Sequence, residues 1–149
     1  MPIMDAPRRD LAAMIAPLQR ALIAAEQPVL RAHGLSMWGY VVLNALDGQP
    51  VRTQAALAEV IGADKSRIIG VLDELEAGGL LQRTRDPEDR RARLVAVTEE
   101  GRRRCRAVQV DIQRNEERLL TRLSAADREA FLRVLTELSA LPASEIAGE

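Results

Sequence analysis

Cysteine, histidine, lysine and aromatic residues are nearly absent from this chain of 149 residues, which has one each of cysteine, histidine, tryptophan, tyrosine and phenylalanine, and Lys65 as its only lysine. A lone cysteine closes no internal disulfide, and one histidine leaves no cluster with metal-ligand spacing, so neither sulfur nor zinc is expected to staple the fold. The same scarcity bears on chemistry. Cys105 and His33 stand far apart, no glycine-rich phosphate loop is present, and the carboxylates and serines form no recognisable catalytic constellation. No enzyme, cofactor or metal ion is expected. Long uncharged apolar runs are missing too. The opening stretch, MPIMDAPRRDLAAMIAPLQ, puts Arg8, Arg9 and Asp10 before its apolar residues, which fits neither a signal peptide nor a membrane span. A cytoplasmic location without a membrane partner is expected.

Length and composition, 47% hydrophobic and 29% charged, fit one globular domain over residues 1–149. A net charge of −1 is unpromising for a protein that meets a polyanion, but the average hides segregation. Nine arginines against five acidic residues lie between Arg83 and Arg106, and the stretch after Leu123 is net acidic. Arginine outnumbers lysine twenty to one, a ratio that GC-rich codon usage can also produce.

Apolar periodicity then sets the order of elements. Leu11, Ile15, Leu18, Leu22, Ala25 and Val29 alternate spacings of four and three, the seam of a helix that faces another helix. Pro17 and Pro28 interrupt or bend it. Ser36 caps a short helix ending at Asp47-Gly48, Thr53 caps a second that Gly62 stops, and Asp64 caps a third, DKSRIIGVLDELEAGGL. LLQRTR and ARLVAV, separated by DPEDRR, read as a β-hairpin. Thr98 with Glu99 and Glu100 starts a long helix whose face carries Cys105, Val108, Ile112, Leu119 and Leu123. Ser124 with Asp127 starts a last one bearing Phe131, Val134, Leu135 and Leu138, and the tail after Pro142 is expected to fray. The class is mainly α with a small hairpin: a winged helix-turn-helix at about 36–98, with helices at about 8–32 and 99–141 outside it. The apolar faces of those outer helices need a partner, and a second copy in a two-fold dimer is the simplest.

In the third short helix Ile68, Val71, Leu72 and Leu75 follow the i, i+3, i+4, i+7 rule and define the buried face. Lys65, Ser66, Arg67, Ile69 and Gly70 are left for its exposed first turns. Arginine and lysine meet guanine edges, serine bonds bases or phosphates, and isoleucine packs on a thymine methyl, so these types suit a major groove. Ser66, near the helix N-terminus, can help its amides meet a phosphate. Gly70 costs this helix about 0.5 to 1 kcal/mol relative to alanine; close approach of the backbone to DNA and drift at a tolerant site both account for it. The hairpin places Arg83, Arg85, Arg90, Arg91 and Arg93 around a tip held by Asp86-Pro87. An arginine on a narrow ribbon can enter a minor groove, and Asp89 among them is expected to orient a neighbouring guanidinium. A solvated charged hairpin accounts for one charge run alone, but not for helix and hairpin in this order.

At these residues the chain resembles the MarR family of multiple-antibiotic-resistance regulators. DPEDRRARLVAVTEEG is similar to the family's wing signature of Asp-x-Arg, a strand and Thr-x-x-Gly; LSMWGYVVLNAL resembles its second helix, and DKSRIIGVLDELEAGGLLQR its recognition helix. The resemblance implies a homodimer that binds a pseudo-palindromic double-stranded operator at the nucleoid, usually represses, and is released by a small phenolic or anionic effector or by cysteine oxidation. It places Ser66, Arg67 and Gly70 at groove-facing sites and Arg90 and Arg91 at the wing tip, with Asp89 as supporting acid. Arg67, Gly70 and Gly39 depart from the family's usual residues. The implied effector region offers Arg31, His33, Met37, Trp38 and Tyr40, a mixture that can stack on a ring and pair with an anion; plain packing is the competing role for Trp38 and Tyr40. Arg103, Arg104 and Arg106 around Cys105 favour a thiolate sensor, whereas its apolar register favours burial. A winged-helix module serving only protein contacts leaves the hairpin arginines unexplained.

Overall fold

The computed structural model describes residues 6–48 and 53–148. The chain runs through α1 (Leu11–Ala32), α2 (Met37–Leu46), α3 (Gln54–Ile61), α4 (Lys65–Ala77), β1 (Leu81–Arg85), β2 (Arg93–Val97), α5 (Glu99–Leu120), α6 (Ala125–Ser139) and α7 (Ala143–Ala147). The expected order is found, with one addition. Instead of a frayed tail after Pro142, the carbonyl of that proline accepts from the amides of Glu145 and Ile146 and starts the single turn of α7. Of the two outcomes expected at Pro17 and Pro28, interruption is not found: α1 continues through both. Pro17 removes the amide that would reach the Ala13 carbonyl, and the Arg9 guanidinium donates to that carbonyl at 3.3 Å instead.

The helix boundaries follow their caps. Ser36 accepts from the Gly39 amide at 3.0 Å, Thr53 from Ala56 at 2.9 Å, Asp64 from Arg67 at 2.8 Å and Ser124 from Asp127 at 3.1 Å. Gly62, at φ 70°, ends α3 in the left-handed conformation and lets Ala63 donate back to Ala58 at 2.9 Å.

Helix α2 packs on α3, α4 and β2 around a core that includes Leu43, Leu46, Leu57, Ile68, Leu72 and Val95. A Cβ on Gly39 would lie 3.1 Å from the Ser36 hydroxyl and 3.4 Å from Leu75 Cδ2, so glycine there lets α2 approach α4 closely. The hairpin is antiparallel, with Leu81 opposite Val97, Arg83 opposite Val95 and Arg85 opposite Arg93. Where it joins α5, Thr98 donates its hydroxyl to the Gly79 carbonyl at 2.7 Å and its amide to Leu80 at 3.0 Å, while its hydroxyl accepts from the Gly101 amide at 3.0 Å.

The described chain separates into two compact units, one up to Gln109 and one from Val110, and α5 runs across that boundary. Cys105, Val108 and Ile112 are buried as the sequence predicts, but Leu120 is buried where Leu119 and Leu123 were expected; those two are 41% and 39% exposed. Leu123 lies beyond the end of α5 at Leu120, whereas Leu119 is inside the helix. Helices α6 and α7 have no buried residue. Phe131, Val134, Leu135 and Leu138 on α6 and Leu11, Ile15 and Leu18 on α1 are all exposed.

Candidate nucleic-acid interface

Helix α4 buries Ile68, Leu72 and Leu75 and leaves Lys65, Ser66, Arg67, Ile69 and Gly70 on its exposed side. The wing adds Arg85, Asp89, Arg90, Arg91 and Arg93, also exposed. Between helix and wing lies a cleft of about 360 Å³ whose lining includes Lys65, Arg91, Arg93, Gln54 and Ile69 and, among the described residues, no carboxylate. Three cations around a groove form a seat for an anion, which a phosphate of a nucleic-acid backbone satisfies.

The neighbours of these residues sharpen three sequence-level expectations. Ser66 donates its hydroxyl to Asp64 at 2.9 Å. Asp64 also caps Arg67, and that backbone bond, then the Ser66 hydroxyl, hold its carboxyl below the usual range. The N-terminus of α4 therefore already holds a carboxylate, which opposes a phosphate at the same amides. Asp89 accepts from the Arg91 backbone amide at 3.0 Å, and Ala92 donates back to the Asp89 carbonyl at 3.1 Å. Its bond shapes the turn at the wing tip rather than orienting a guanidinium. Asp86, almost fully buried, accepts from the Glu88 amide at 2.9 Å and fixes the other side of that turn.

Arg83 differs from the other hairpin arginines. Its guanidinium donates to Glu76 at 3.0 Å and to Gln54 Oε1 at 3.1 Å, forms an ion pair with Asp73, and its amide donates to Glu76 Oε2 at 3.0 Å. Only 12% of the side chain is exposed. Arg83 thus braces the wing against α3 and α4, and the hairpin offers four arginines to a ligand, not five. The bond takes the Gln54 amide oxygen, so what Gln54 can offer the cleft is its NH₂ group. The Arg83 side chain, then its amide, hold the Glu76 carboxyl below the usual range.

Gly70 has open space within 4 Å of where a Cβ would stand. Gly70→Ala should therefore raise helix stability by about 0.5 to 1 kcal/mol, read as a higher melting temperature. If the face meets DNA closely the same variant binds its operator less well, whereas unchanged binding assigns Gly70 to drift.

The residues expected near an effector lie at the end of α1 and the start of α2. Arg31 is exposed, His33, Met37 and Trp38 are half-buried, and Tyr40 is in the core, the packing role the sequence left open for it. Trp38 has a partner on α4: the Arg67 guanidinium carbon lies 5.6 Å from the centroid of the indole. Cys105 is buried and donates its S–H to Asn44 Oδ1 at 3.3 Å. Burial first, then Asp47, push its thiol up against the opposing effect of Arg106. A neutral thiol is a poor nucleophile. Peroxide treatment should leave operator affinity unchanged; a loss of affinity abolished by Cys105→Ala would assign it a redox role.

Three helices, the last one capped and cationic on its open side, followed by an arginine-bearing hairpin, define a winged helix-turn-helix protein of the DNA-binding type. A model of the MarR family matches residues 33–92. The chain is 30% identical over 125 residues to a putative transcriptional regulatory protein for the hcr operon of Thauera aromatica, across 81% of this chain and 75% of that one. Among solved structures it is similar to CouR from Rhodococcus jostii RHA1 bound to p-coumaroyl-CoA, at 29% identity and a TM-score of 0.72 over 93% of this chain and 97% of that one. It is likewise similar to the transcriptional repressor CouR bound to a 23-mer DNA duplex, at 30% identity and a TM-score of 0.73 over 87% and 92% of the two chains. The chain belongs to the MarR family of transcriptional regulators, and it is not an enzyme.

Proposed function

We propose that this regulator is a cytoplasmic, nucleoid-associated homodimeric repressor, released from a pseudo-palindromic operator by a small phenolic or anionic ligand. The observation that carries the DNA-binding part is the cleft between α4 and the wing, where Lys65, Arg91 and Arg93 converge with no carboxylate among the described lining residues. In this reading residues at about 36–98 are the DNA-binding lobe. Lys65, Arg67, Ile69 and Gly70, with Ser66 as a hydrogen-bond acceptor, face a major groove; Arg85, Arg90, Arg91 and Arg93 follow the adjacent backbone and minor groove, with Asp89 shaping the tip that presents them. Two lobes reach successive grooves about one helical turn apart.

The second copy is supported by the apolar faces of α1 and α6, exposed in the single chain. Segments at about 8–32 and 99–141 would supply that interface. Release by a ligand is supported by the CouR relatives, one in complex with p-coumaroyl-CoA and one with DNA. Arg31, His33, Met37 and Trp38, with Tyr40 behind them, would line the effector site. The effector acts only as far as its affinity differs between the DNA-fitting dimer and the alternative. The buried, hydrogen-bonded Cys105 favours this reading over an oxidation sensor of the same fold. Selection of bound fragments from a randomised duplex library tests the proposal: an enriched inverted repeat supports it, and no enrichment refutes it.

A further inference from the structure

The sequence suits Arg67 to a DNA groove and Trp38 to an effector region, yet the structure joins them. The guanidinium carbon sits 5.6 Å from the indole centroid, within the range in which a cation is attracted to the face of a tryptophan ring. Both ends are held. Trp38 is in the first turn of α2, and its neighbour Gly39 packs so closely on α4 that a Cβ would reach Leu75 at 3.4 Å. The Arg67 backbone is fixed by the Asp64 cap at 2.8 Å. One turn on, Gly70 has no side chain to compete for the space that Arg67 shares with it at i, i+3. Asp64 is the anion nearest in sequence, and its carboxylate is engaged by the Arg67 amide and the Ser66 hydroxyl.

We propose that Trp38 is a positioning residue for operator recognition, holding the Arg67 guanidinium against the indole so that its remaining N–H donors are directed at a base in the major groove. The inference rests on the reading of α4 as the recognition helix. A cation held over a ring spends at most one side of the guanidinium, which carries five N–H donors, so the held group keeps a pair that can bind guanine O6 and N7. A free arginine loses side-chain freedom when it binds; one already held against a ring loses less. The departure at position 67 is therefore matched by the glycine at 70 and the tryptophan at 38, which together set where this arginine points.

A double-mutant cycle on the full-length protein tests this, using the duplex that the wild type enriches from a randomised library. Trp38→Leu should weaken binding about 10- to 25-fold in the dimer, two such pairs each contributing a factor of about three to five. In the Arg67→Ala background the same change should have no effect, and Trp38→Phe should restore most of the affinity. Selection repeated with Trp38→Leu should relax the same base position that Arg67→Ala relaxes. An equal loss in both backgrounds, or no loss in either, overturns the proposal. Trp38 is the only tryptophan, so its emission provides a readout without DNA: Arg67→Ala should make the indole more open to iodide quenching, and unchanged quenching removes the contact. Failure of the wild type to enrich any duplex defeats the DNA-binding reading itself, whereas an enriched duplex with an additive cycle defeats the inference alone.

Discussion

Arg91→Ala should weaken binding of the selected operator by about 30-fold or more while leaving the melting temperature and the dimer unchanged. The side chain lines the cleft with Lys65 and Arg93, and the proposed dimer would present it twice. Two lost contacts at about 1 kcal/mol each give that factor. The backbone of the tip does not depend on the side chain, because Asp89 holds the Arg91 amide and Asp86 holds that of Glu88; alanine keeps both bonds. If the contacts are to phosphates, the slope of log K against log salt should become shallower by about 1.8, at about 0.9 per contact. Anisotropy titrations at several salt concentrations read both quantities. Native affinity in the variant would refute the assignment of the wing.

Gly101→Ala should destabilise the fold by about 3 kcal/mol, lowering the melting temperature by about 10 °C. An added Cβ would lie 2.0 Å from the Leu80 carbonyl oxygen and 2.7 Å from Val97 Cγ2. The obstacle is backbone, held in turn by the Thr98 amide at 3.0 Å, so a side-chain rotation cannot relieve it. Relief requires α5 to move off the base of the wing, which strains the bonds of Thr98 to Gly79 and Leu80. Gly70→Ala is the internal contrast, a glycine in open space whose replacement should stabilise. Thermal unfolding of the two variants against the wild type checks both signs, and an undiminished melting temperature for Gly101→Ala would contradict this packing.

The helices and the hairpin were legible because their signals are local: caps at Ser36, Thr53, Asp64 and Ser124, a left-handed stop at Gly62, and periods of 3.6 and 2 in the apolar residues. Of Ile68, Val71, Leu72 and Leu75, which the spacing assigns to the buried face of α4, all but the half-buried Val71 are in the core. What stayed hidden depends on contacts between elements. Arg83 read as one more wing cation, although alternation from Leu81 places it on the inner face of the hairpin; its partners Gln54, Asp73 and Glu76 come from helices earlier in the chain. The contact of Trp38 with Arg67 joins residues about thirty positions apart, and no spacing rule foretells it. Leu123 continues the stripe on paper, but α5 ends at Leu120, and within the helix Leu120 is buried in place of Leu119. Asp89 was placed correctly at the wing tip, and only the geometry distinguishes a carboxylate that bonds an amide from one that bonds a guanidinium.

Salt dependence of sequence-specific binding tests the central claim most directly. Binding of the wild type to its selected duplex and to a scrambled duplex of equal length should be measured across a range of salt concentrations. Both log K values should fall linearly with log salt, with the selected duplex bound at least about a thousandfold more tightly throughout. A flat salt dependence, or equal affinity for the two duplexes, would contradict the account.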